Sequence, residues 1–285
     1  MLPRYTGQAY EENHSPMLTP KQLAPWIEAS IETFKATPDD PPERRLGVAD
    51  TWISSTHKYF YMATPKVACS KIKIVLQQLE GLPLPPRPLR IHWRDTPGLS
   101  FVSSIADFTT SDAVEILTSS DWFRFCFVRN PYSRLFSSYK QKILDLTSPW
   151  VGFRESIREK AGYPTPPDSS PKMVGFGDFV RYIGEQFDDD RDGHWRSQTG
   201  ILHLEAIQYD FVGRMESFTR DFTSILQRFS APAELIASVP DIVNATQRLP
   251  LTMTYDQKLA DYVYGTFRDD FEAFDYDRDS WMIDN

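Results

Sequence analysis

The sequence predicts an α/β fold in which a parallel sheet is covered by helices on both faces. Strand and helix patterns alternate three times along the chain, and further helical patterns lie at both ends. A sheet buried on both faces needs strands that are apolar almost throughout, and residues 59–63 and 123–128 fit that description. Ligands of such sheets bind at the carboxyl ends of the strands, so the loops after these two strands are where a site is expected.

The first of these loops combines the features of an anion site. Proline cannot donate to a strand ladder, so Pro65 ends the strand of residues 59–63, and helical spacing of apolar residues begins after Ser70. A helix start presents unpaired N–H groups and the positive end of its dipole. Lys66 adds a full charge and Ser70 a hydroxyl donor, so the loop predicts a phosphate or sulfate site. The alternative is an ordinary connection with a solvated lysine, and the Walker A spacing is absent.

The second loop repeats this arrangement. Asn130 is a favoured N-cap residue, Pro131 is favoured at the first helical position, and apolar residues at helical spacing follow. Arg129 lies at the end of the strand, and Ser137 lies two turns into the helix. Residues 122–144 include five basic residues and no acidic one. A second phosphate site needs that imbalance, and the alternative is a cationic helix face in solvent.

The other elements follow from capping signals and apolar spacing. A capping-box pattern at residues 19–22 begins a helix that runs to about residue 35. A strand over residues 48–54 is expected to pair with residues 58–63. The later elements are a strand over residues 209–215 and helices over residues 112–117, 178–187, 218–229 and 255–274. Residues 188–192 predict a charged turn in solvent in preference to a metal site.

One domain is expected to account for most of the chain. Residues 1–45 are predicted to form an N-terminal arm and a helix, and residues 46–285 a single domain. Residues 147–177 contain five prolines and four glycines and are too long for a plain connection. They predict a wall or lid beside a substrate, and disorder is the alternative.

Composition argues against several classes of protein. The 31 basic and 39 acidic residues argue against general binding of nucleic acid or of anionic membranes. The two cysteines, Cys69 and Cys126, lie in predicted buried elements and offer neither a disulfide framework nor a metal cluster, although a catalytic thiol at Cys69 is an alternative. No apolar run approaches the ~20 residues of a membrane span, and the N-terminus is too polar for a signal peptide. A cytoplasmic location is therefore expected.

Four motifs occur in order along the chain. They are Thr64-Pro-Lys-Val-Ala-Cys-Ser70, Phe127-Val-Arg-Asn-Pro-Tyr-Ser-Arg-Leu-Phe-Ser-Ser138, His194-Trp-Arg-Ser-Gln198 with Tyr209-Asp-Phe-Val-Gly-Arg-Met-Glu216, and Asp270-Phe-Glu-Ala-Phe-Asp-Tyr276. Together they resemble the carbohydrate sulfotransferases over roughly residues 58–276. The resemblance is closest to the branch of the HNK-1 and chondroitin/dermatan 4-O-sulfotransferases, with the heparan 2-O-sulfotransferases more distant. It implies the sulfotransferase fold, which is similar to that of the P-loop kinases.

The resemblance also implies a donor, 3′-phosphoadenosine 5′-phosphosulfate, which needs two anion sites and no metal. The 3′-phosphate site is then formed by Arg129 and Ser137, with Arg134 either assisting or pairing with an acid of the core. Lys66 stabilises the charge that develops on the oxygen between sulfur and phosphorus. The residues implied to hold the 5′ end are Pro65, Lys66, Val67, Ala68, Cys69 and Ser70.

The implied acceptor is a hydroxyl of a carbohydrate or glycoconjugate, and its attack needs a general base. His92 is the preferred candidate, because it lies in the part of the chain where the heparan 2-O-sulfotransferase branch resembles it and carries its base. His194, in the His-Trp-x-x-Gln motif, is the second candidate, and a glutamate stays open. Residues 147–177 are then an acceptor-side loop region.

Three alternatives to this function are left open. The nearest is a small-molecule alcohol as the acceptor. A nucleotide kinase needs a Walker loop and a magnesium ligand, and the sequence shows neither. A non-catalytic nucleotide-binding protein would have a damaged loop, whereas Lys66, Ser70, Arg129 and Ser137 are all present. The animal members have a Golgi membrane anchor that this sequence does not show, and the oligomeric state stays unknown.

Overall fold

The computed structural model describes residues 18–36, 50–87, 91–92, 99–145, 150–164, 173–240 and 250–283. These residues form two compact units. The first unit consists of the described residues of 1–128 and 198–246, and the second of those of 129–197 and 247–285. The predicted division of the chain into an N-terminal arm and a single domain stays a prediction, as does the cytoplasmic location.

The first unit contains a four-stranded sheet with the order β1-β2-β3-β4. The strands are β1 (Thr51–Ser54), β2 (Tyr59–Met62), β3 (Phe123–Val128) and β4 (Phe211–Arg214). β2, β3 and β4 are parallel to one another, whereas β1 pairs with β2 as an antiparallel hairpin. The pairing of β1 with β2 and the parallel core of the sheet are therefore confirmed, and β1 adds an antiparallel edge.

The helices follow the predicted alternation with the strands. In chain order they are α1 (Pro20–Ala36), α2 (Cys69–Leu79), α3 (Thr110–Thr118), α4 (Pro131–Tyr139), α5 (Val151–Lys160), α6 (Phe176–Gly184), α7 (Gln198–Leu202), α8 (Phe218–Arg228), α9 (Ala233–Ala237), α10 (Gln257–Thr266) and α11 (Arg268–Ala273). At the start of α1 the Gln22 side chain accepts a hydrogen bond from the Thr19 backbone N–H at 3.0 Å, as the capping-box pattern predicts. A π-helical turn, Lys140–Leu144, continues α4.

Aromatic side chains fill the core of the first unit. Tyr61 stacks on Phe125 across β2 and β3 with ring centroids 5.0 Å apart. Phe127 contacts Phe218 of α8 at 5.3 Å. Apolar residues of α2, such as Ile72, join the same buried cluster. Each fully buried aromatic ring contributes on the order of 1.5–3 kcal/mol of stability, so this cluster fixes α2 and α8 on the sheet.

The second unit has its own core, in which helices pack around α4. Tyr132 of α4 contacts Phe271 of α11 and Tyr255 with ring centroids 4.8 and 5.1 Å apart. The Tyr255 hydroxyl donates to the Tyr132 carbonyl at 2.9 Å, and the Tyr132 hydroxyl donates to the Arg278 carbonyl at 2.7 Å. The buried hydroxyls thus find partners, as a packed interior requires.

One expectation from the sequence differs from the structure, and another is only partly within the described residues. The last helix is interrupted at Phe267, whose φ of −119° and ψ of 29° lie outside the helical region, so it becomes α10 and α11. The Phe267 ring is buried against the Arg191 guanidinium at 5.0 Å, and Asp269 and Asp270 then supply acidic groups to the first turn of α11. Residues 147–177, predicted to form a wall or lid with disorder as the alternative, contain the helix α5, and their role beside a substrate stays a prediction. Residues 146–149 and 165–172 lie outside the described residues.

Among the residues that the structure describes, none of the helices has the length and apolar character that crossing a membrane requires.

We expect Gly213→Ala to lower the free energy of unfolding by about 1–3 kcal/mol, the cost of overpacking a core. Gly213 lies opposite Phe127 in the sheet, and an added methyl group would overlap that ring. Urea unfolding measures the effect. The control is Gly152→Ala in α5, where the new methyl group meets open space and should raise stability by about 0.5–1 kcal/mol. A Gly213→Ala protein as stable as the parent would contradict the packing described.

Candidate functional site

The loop of residues 64–70, here called the first basic loop, connects β2 to α2 with an unusual backbone. Lys66 and Ala68 have φ angles of 71° and 52°, in the left-handed region that residues with a Cβ rarely adopt. Each such residue costs on the order of 1–3 kcal/mol, and strain of this kind concentrates at ligand sites. The sequence did not predict this geometry, because the loop contains no glycine.

The start of α2 is suited to an anion. Its N-cap residue is Ala68, which makes no side-chain cap, and its first turn has no acidic residue. The positive end of the helix dipole therefore meets no opposing charge from the first turn, and Lys66 adds a half-buried cation in the same loop. Val67 and Pro65 are buried and anchor the loop on the core. The buried Thr64 hydroxyl has no hydrogen-bond partner among the described residues.

The thiols of Cys69, within this loop, and of Cys126 are poor nucleophiles. Burial raises the pKa of the Cys69 thiol, although the charges of Lys73 and Lys66 act in the opposite direction. Burial also raises the pKa of Cys126 well above its usual value. Both side chains therefore stay protonated at neutral pH, which disfavours the alternative of a catalytic thiol at Cys69.

His92 lies against the first basic loop. Its Nε2 is 2.6 Å from the Ser70 hydroxyl, and its Nδ1 is 3.1 Å from Nζ of Lys73. Lys73 is buried in α2 and forms an ion pair of 2.5 Å with Asp50. The structure thus brings His92 together with Ser70, as a shared site requires, and adds two residues that the sequence did not single out.

In the second unit, one face of α4 presents a row of polar side chains. Arg129 precedes the helix and donates from Nε to the Ser133 hydroxyl at 2.9 Å. Ser137 and Lys140 continue this row at intervals of four and three residues, which places them on the same helical face. Burial lowers the pKa of Lys140, and the nearby charge of Arg129 lowers it further. The row is cationic, as a phosphate site requires.

The start of α4 is built as the sequence predicts. The Asn130 side chain accepts hydrogen bonds from the N–H groups of Tyr132 and Ser133 at 3.0 and 3.4 Å, and Pro131 opens the helix. The Asn130 amide also donates to the Ser280 hydroxyl at 2.7 Å. This cap fixes the backbone direction immediately after Arg129.

Another face of α4 holds the loop of residues 192–197. Arg134 is buried and donates to the carbonyls of Arg196 and Gly193 at 2.7 and 2.9 Å. Ser138 donates to the carbonyl of His194 at 2.6 Å. These contacts give Arg134 a structural role on backbone carbonyls, whereas its predicted assistance at the 3′-phosphate stays a prediction.

His194 forms a buried pair with Asp192. Its Nδ1 is 2.5 Å from the Asp192 carboxylate, and the same carboxylate oxygen accepts the His194 backbone N–H at 2.9 Å. A carboxylate is an acceptor only, so Nδ1 carries a proton and Nε2 is the nitrogen with the lone pair when the ring is neutral. This is the arrangement in which an acidic residue orients a histidine base.

The charged turn at residues 188–192 is held by protein groups. Asp188 accepts hydrogen bonds from Arg191, from the Ser197 backbone and from the Ser197 hydroxyl at 2.9, 2.9 and 2.5 Å. Within the described ranges, His, Cys, Asp and Glu side chains form no group that could hold a metal ion. The turn therefore serves to fix the segment that leads to His194.

A cavity of about 430 Å³ lies elsewhere in the first unit, lined by His57, Lys58 and Arg228 among others. It opens beside Phe123, at the amino end of β3. Because ligands of parallel sheets bind at the carboxyl ends of the strands, we do not assign the reaction to this cavity.

Sequence reasoning missed five residues that now complete these clusters. Asp50 and Lys73 join His92, Ser133 and Lys140 extend the row of Arg129, and Asp192 orients His194. The spacing of Arg129, Ser133 and Ser137 by four residues was a signal that could have shown the shared helical face.

Comparisons with known proteins agree with the motifs. Residues 49–277 match the model of the Sulfotransferase family. Carbohydrate sulfotransferase 14 of Danio rerio is 28% identical over 194 residues, which cover 67% of this chain and 51% of the relative. Its Homo sapiens counterpart is 27% identical over 190 residues, with 67% and 49% covered. Carbohydrate sulfotransferase 10 of Danio rerio is 27% identical over 262 residues, with 84% and 70% covered. No solved structure gives a significant match.

This chain spans about half the length of the carbohydrate sulfotransferase 14 relatives that it matches. The family match itself covers more than half of this chain and includes all four motifs, from Thr64 to Tyr276. The chain belongs to the sulfotransferase family.

Proposed function

We propose that this protein transfers a sulfuryl group from 3′-phosphoadenosine 5′-phosphosulfate to a hydroxyl of a carbohydrate. The observation that carries the proposal is the first basic loop, which joins the carboxyl end of β2 to an uncapped helix start within the region of the family match. The relatives are named carbohydrate sulfotransferases, which supports a carbohydrate as the acceptor. A small-molecule alcohol would need the same donor site and a different acceptor surface.

The first basic loop fits the phosphosulfate end of the donor. Ala68 provides no side-chain cap at the start of α2, and a helix start presents N–H groups that can donate to a ligand. Lys66 and Ser70 add a cation and a hydroxyl, and the left-handed backbone sets the direction of the loop. In the reaction, Lys66 stabilises the negative charge that grows on the bridging oxygen as the bond from sulfur breaks.

The row on α4 fits a phosphate that does not react. Arg129 can donate a charge-assisted hydrogen bond, and Ser133, Ser137 and Lys140 extend the set of donors along the helix. A phosphate here would offset the mutual repulsion that contributes to the lowered pKa of Lys140. We assign this row to the 3′-phosphate, with Arg129 and Ser137 as the principal contacts.

His194 serves as the general base in this proposal. Asp192 holds the proton on Nδ1, which leaves the lone pair of the neutral ring on Nε2. At His92, in contrast, one ring nitrogen faces an ammonium and the other faces Ser70. The contacts therefore favour the second candidate of the sequence analysis over the first, and glutamate stays open.

We expect adenosine 3′,5′-bisphosphate to bind at least about a hundredfold more tightly than adenosine 5′-monophosphate. Two charge-assisted hydrogen bonds to the 3′-phosphate, each worth about 1.5–3 kcal/mol, set that ratio. Isothermal calorimetry measures both affinities. Arg129→Ala should remove most of the difference, whereas Arg268→Ala, which removes an exposed arginine of α11, should leave it unchanged. Equal affinities for the two nucleotides in the parent protein would contradict the assignment.

Lys66→Ala and Arg129→Ala should affect different kinetic constants. Lys66 acts on charge that appears in the transition state, so its loss should lower kcat by about 10²-fold or more. Arg129 binds a group that does not change, so its loss should raise the KM for the donor with little change in kcat. Steady-state kinetics with varied donor separate the two effects, and Lys258→Ala removes an exposed lysine as the control. Normal kcat in Lys66→Ala at saturating donor would overturn its role.

His194→Ala should lower kcat by about 10²–10⁴-fold without weakening the binding of adenosine 3′,5′-bisphosphate. Asp192→Asn should also lower kcat, because an amide can donate to Nδ1 and so favour the wrong tautomer. Since the base acts only when unprotonated, kcat of the parent should fall on the acidic side of its pH profile. If Asp192→Asn keeps the parental kcat and pH profile, another group is the base.

A further inference from the structure

Four side chains of the first unit form a continuous chain of polar contacts. Asp50 contacts Nζ of Lys73 at 2.5 Å, Nζ contacts Nδ1 of His92 at 3.1 Å, and Nε2 of His92 contacts the Ser70 hydroxyl at 2.6 Å. Lys73 is only 1% exposed. A buried ammonium needs a paired charge and hydrogen-bond acceptors, and Asp50 and His92 supply them.

The ammonium of Lys73 determines which nitrogen of the His92 ring carries the proton. An ammonium group has three donors and no lone pair, so the His92 Nδ1 that faces it must accept. The neutral ring then carries its proton on Nε2, and this N–H points to the Ser70 hydroxyl oxygen. Because Ser70 accepts this hydrogen bond, its own O–H is directed to another acceptor.

We infer that Asp50, Lys73 and His92 are positioning residues that hold Ser70 as a hydrogen-bond donor to the anion bound at the first basic loop. The inference rests on the proposed function, because it takes the 5′-phosphosulfate end of the donor as that anion. Each member donates to the next, in the order ammonium, imidazole, hydroxyl, anion. No sequence pattern marks this series of contacts, since Lys73 lies among the apolar residues of α2.

The buried ammonium of Lys73 acts on the anion through the hydrogen bonds of His92 and Ser70. Hydrogen bonds arranged in series polarise one another, so the charge of Lys73 strengthens the donation by Ser70. The position of that charge is also evident at Cys69, where Lys73 and Lys66 both oppose the rise in the thiol pKa that burial causes. Two cations thus lie close to this part of the chain: Lys66 within the first basic loop and Lys73 in α2.

This arrangement makes His92 unsuited to proton abstraction. Its lone pair faces Lys73, and the nitrogen that faces Ser70 carries a proton. A positioning role and a general-base role of His92 predict opposite results when glutamine replaces it. Glutamine supplies a donor group and an acceptor group, as the neutral ring does, but it cannot take a proton at neutral pH.

The tautomer can be read in the parent protein by NMR of ¹⁵N-labelled histidine rings, with His92→Gln used to assign the signal. We expect a neutral His92 ring protonated at Nε2. A proton on Nδ1, or a doubly protonated ring at neutral pH, would overturn the inference. This measurement needs no activity, so it decides the inference even if the proposed function fails.

Binding of adenosine 3′,5′-bisphosphate then tests whether Lys73 acts through Ser70. Lys73→Met should weaken binding about tenfold, the size of one charge-assisted hydrogen bond, and Ser70→Ala should do the same. The double variant should be no weaker than the single variants, because both changes break one chain. Losses that multiply in the double variant would show that Lys73 acts independently. Lys21→Met, which removes an exposed lysine of α1, is the control, and thermal unfolding confirms that each variant is folded.

Activity separates the two roles of His92. We expect His92→Gln to keep kcat within about tenfold of the parent, and His92→Leu to lose donor affinity. Equal loss of kcat by about 10²-fold or more in both variants would overturn the positioning role. If the parent transfers no sulfuryl group to any carbohydrate but binds the bisphosphate and shows the expected tautomer, the proposed function fails and the positioning chain stands.

Discussion

The parallel pairing of β2 with β3 is the constraint on which the rest of the first unit depends. Met62 lies opposite Cys126, so the two strands reach their carboxyl ends at the same edge of the sheet. A slip of one residue would turn every side chain of β2 to the other face, and stacking of Tyr61 on Phe125 prevents it. The first basic loop starts from this fixed edge, where β3 also ends.

Strain in the first basic loop depends on that anchoring. Lys66 and Ala68 hold left-handed backbones only because Val67 and Pro65 are buried against the core on either side of Lys66. The stability that the aromatic core supplies therefore offsets the cost of a shaped loop. Glycine at these positions would relieve the strain, but it would also let the unliganded loop adopt more conformations. Residues with a Cβ keep the loop in one shape.

In the second unit, two faces of α4 make different sets of contacts. Arg129, Ser133 and Ser137 lie on one face, and Arg134 and Ser138 lie on the next, one residue further round the helix. The first face suits a phosphate, whereas the second holds the backbone that carries His194. A change in the direction of α4 would thus move both sets together. The Asn130 cap and the buried Tyr132 fix that direction, which explains why the motif also includes residues that do not bind an anion.

The sequence was informative where a signal is local. Strand composition, the Asn130 cap and the basic loops depend on neighbours in the chain, and the structure has the predicted strand–loop–helix units. The contact of His92 with Lys73 joins residues 19 positions apart, and no periodic pattern marks it. Lys73 looks like an exposed residue of an amphipathic helix until Asp50 is placed beside it. Likewise, α10 ends at Phe267, where helical spacing alone predicts that the helix continues.

The cations of this acidic protein, whose net charge is −8, are of two kinds. Structural cations have protein acceptors: Lys73 contacts Asp50, and Arg124 forms an ion pair of 2.9 Å with Asp210. At Lys140 the charged neighbour that shifts the pKa is another cation, Arg129, so folding penalises the charged form of this lysine. A bound phosphate would add an attraction that opposes both burial and the repulsion from Arg129, and so favour the charged form of Lys140. The sites that the fold leaves electrostatically unfavourable are therefore those that gain most from the donor, and overall net charge says little about them.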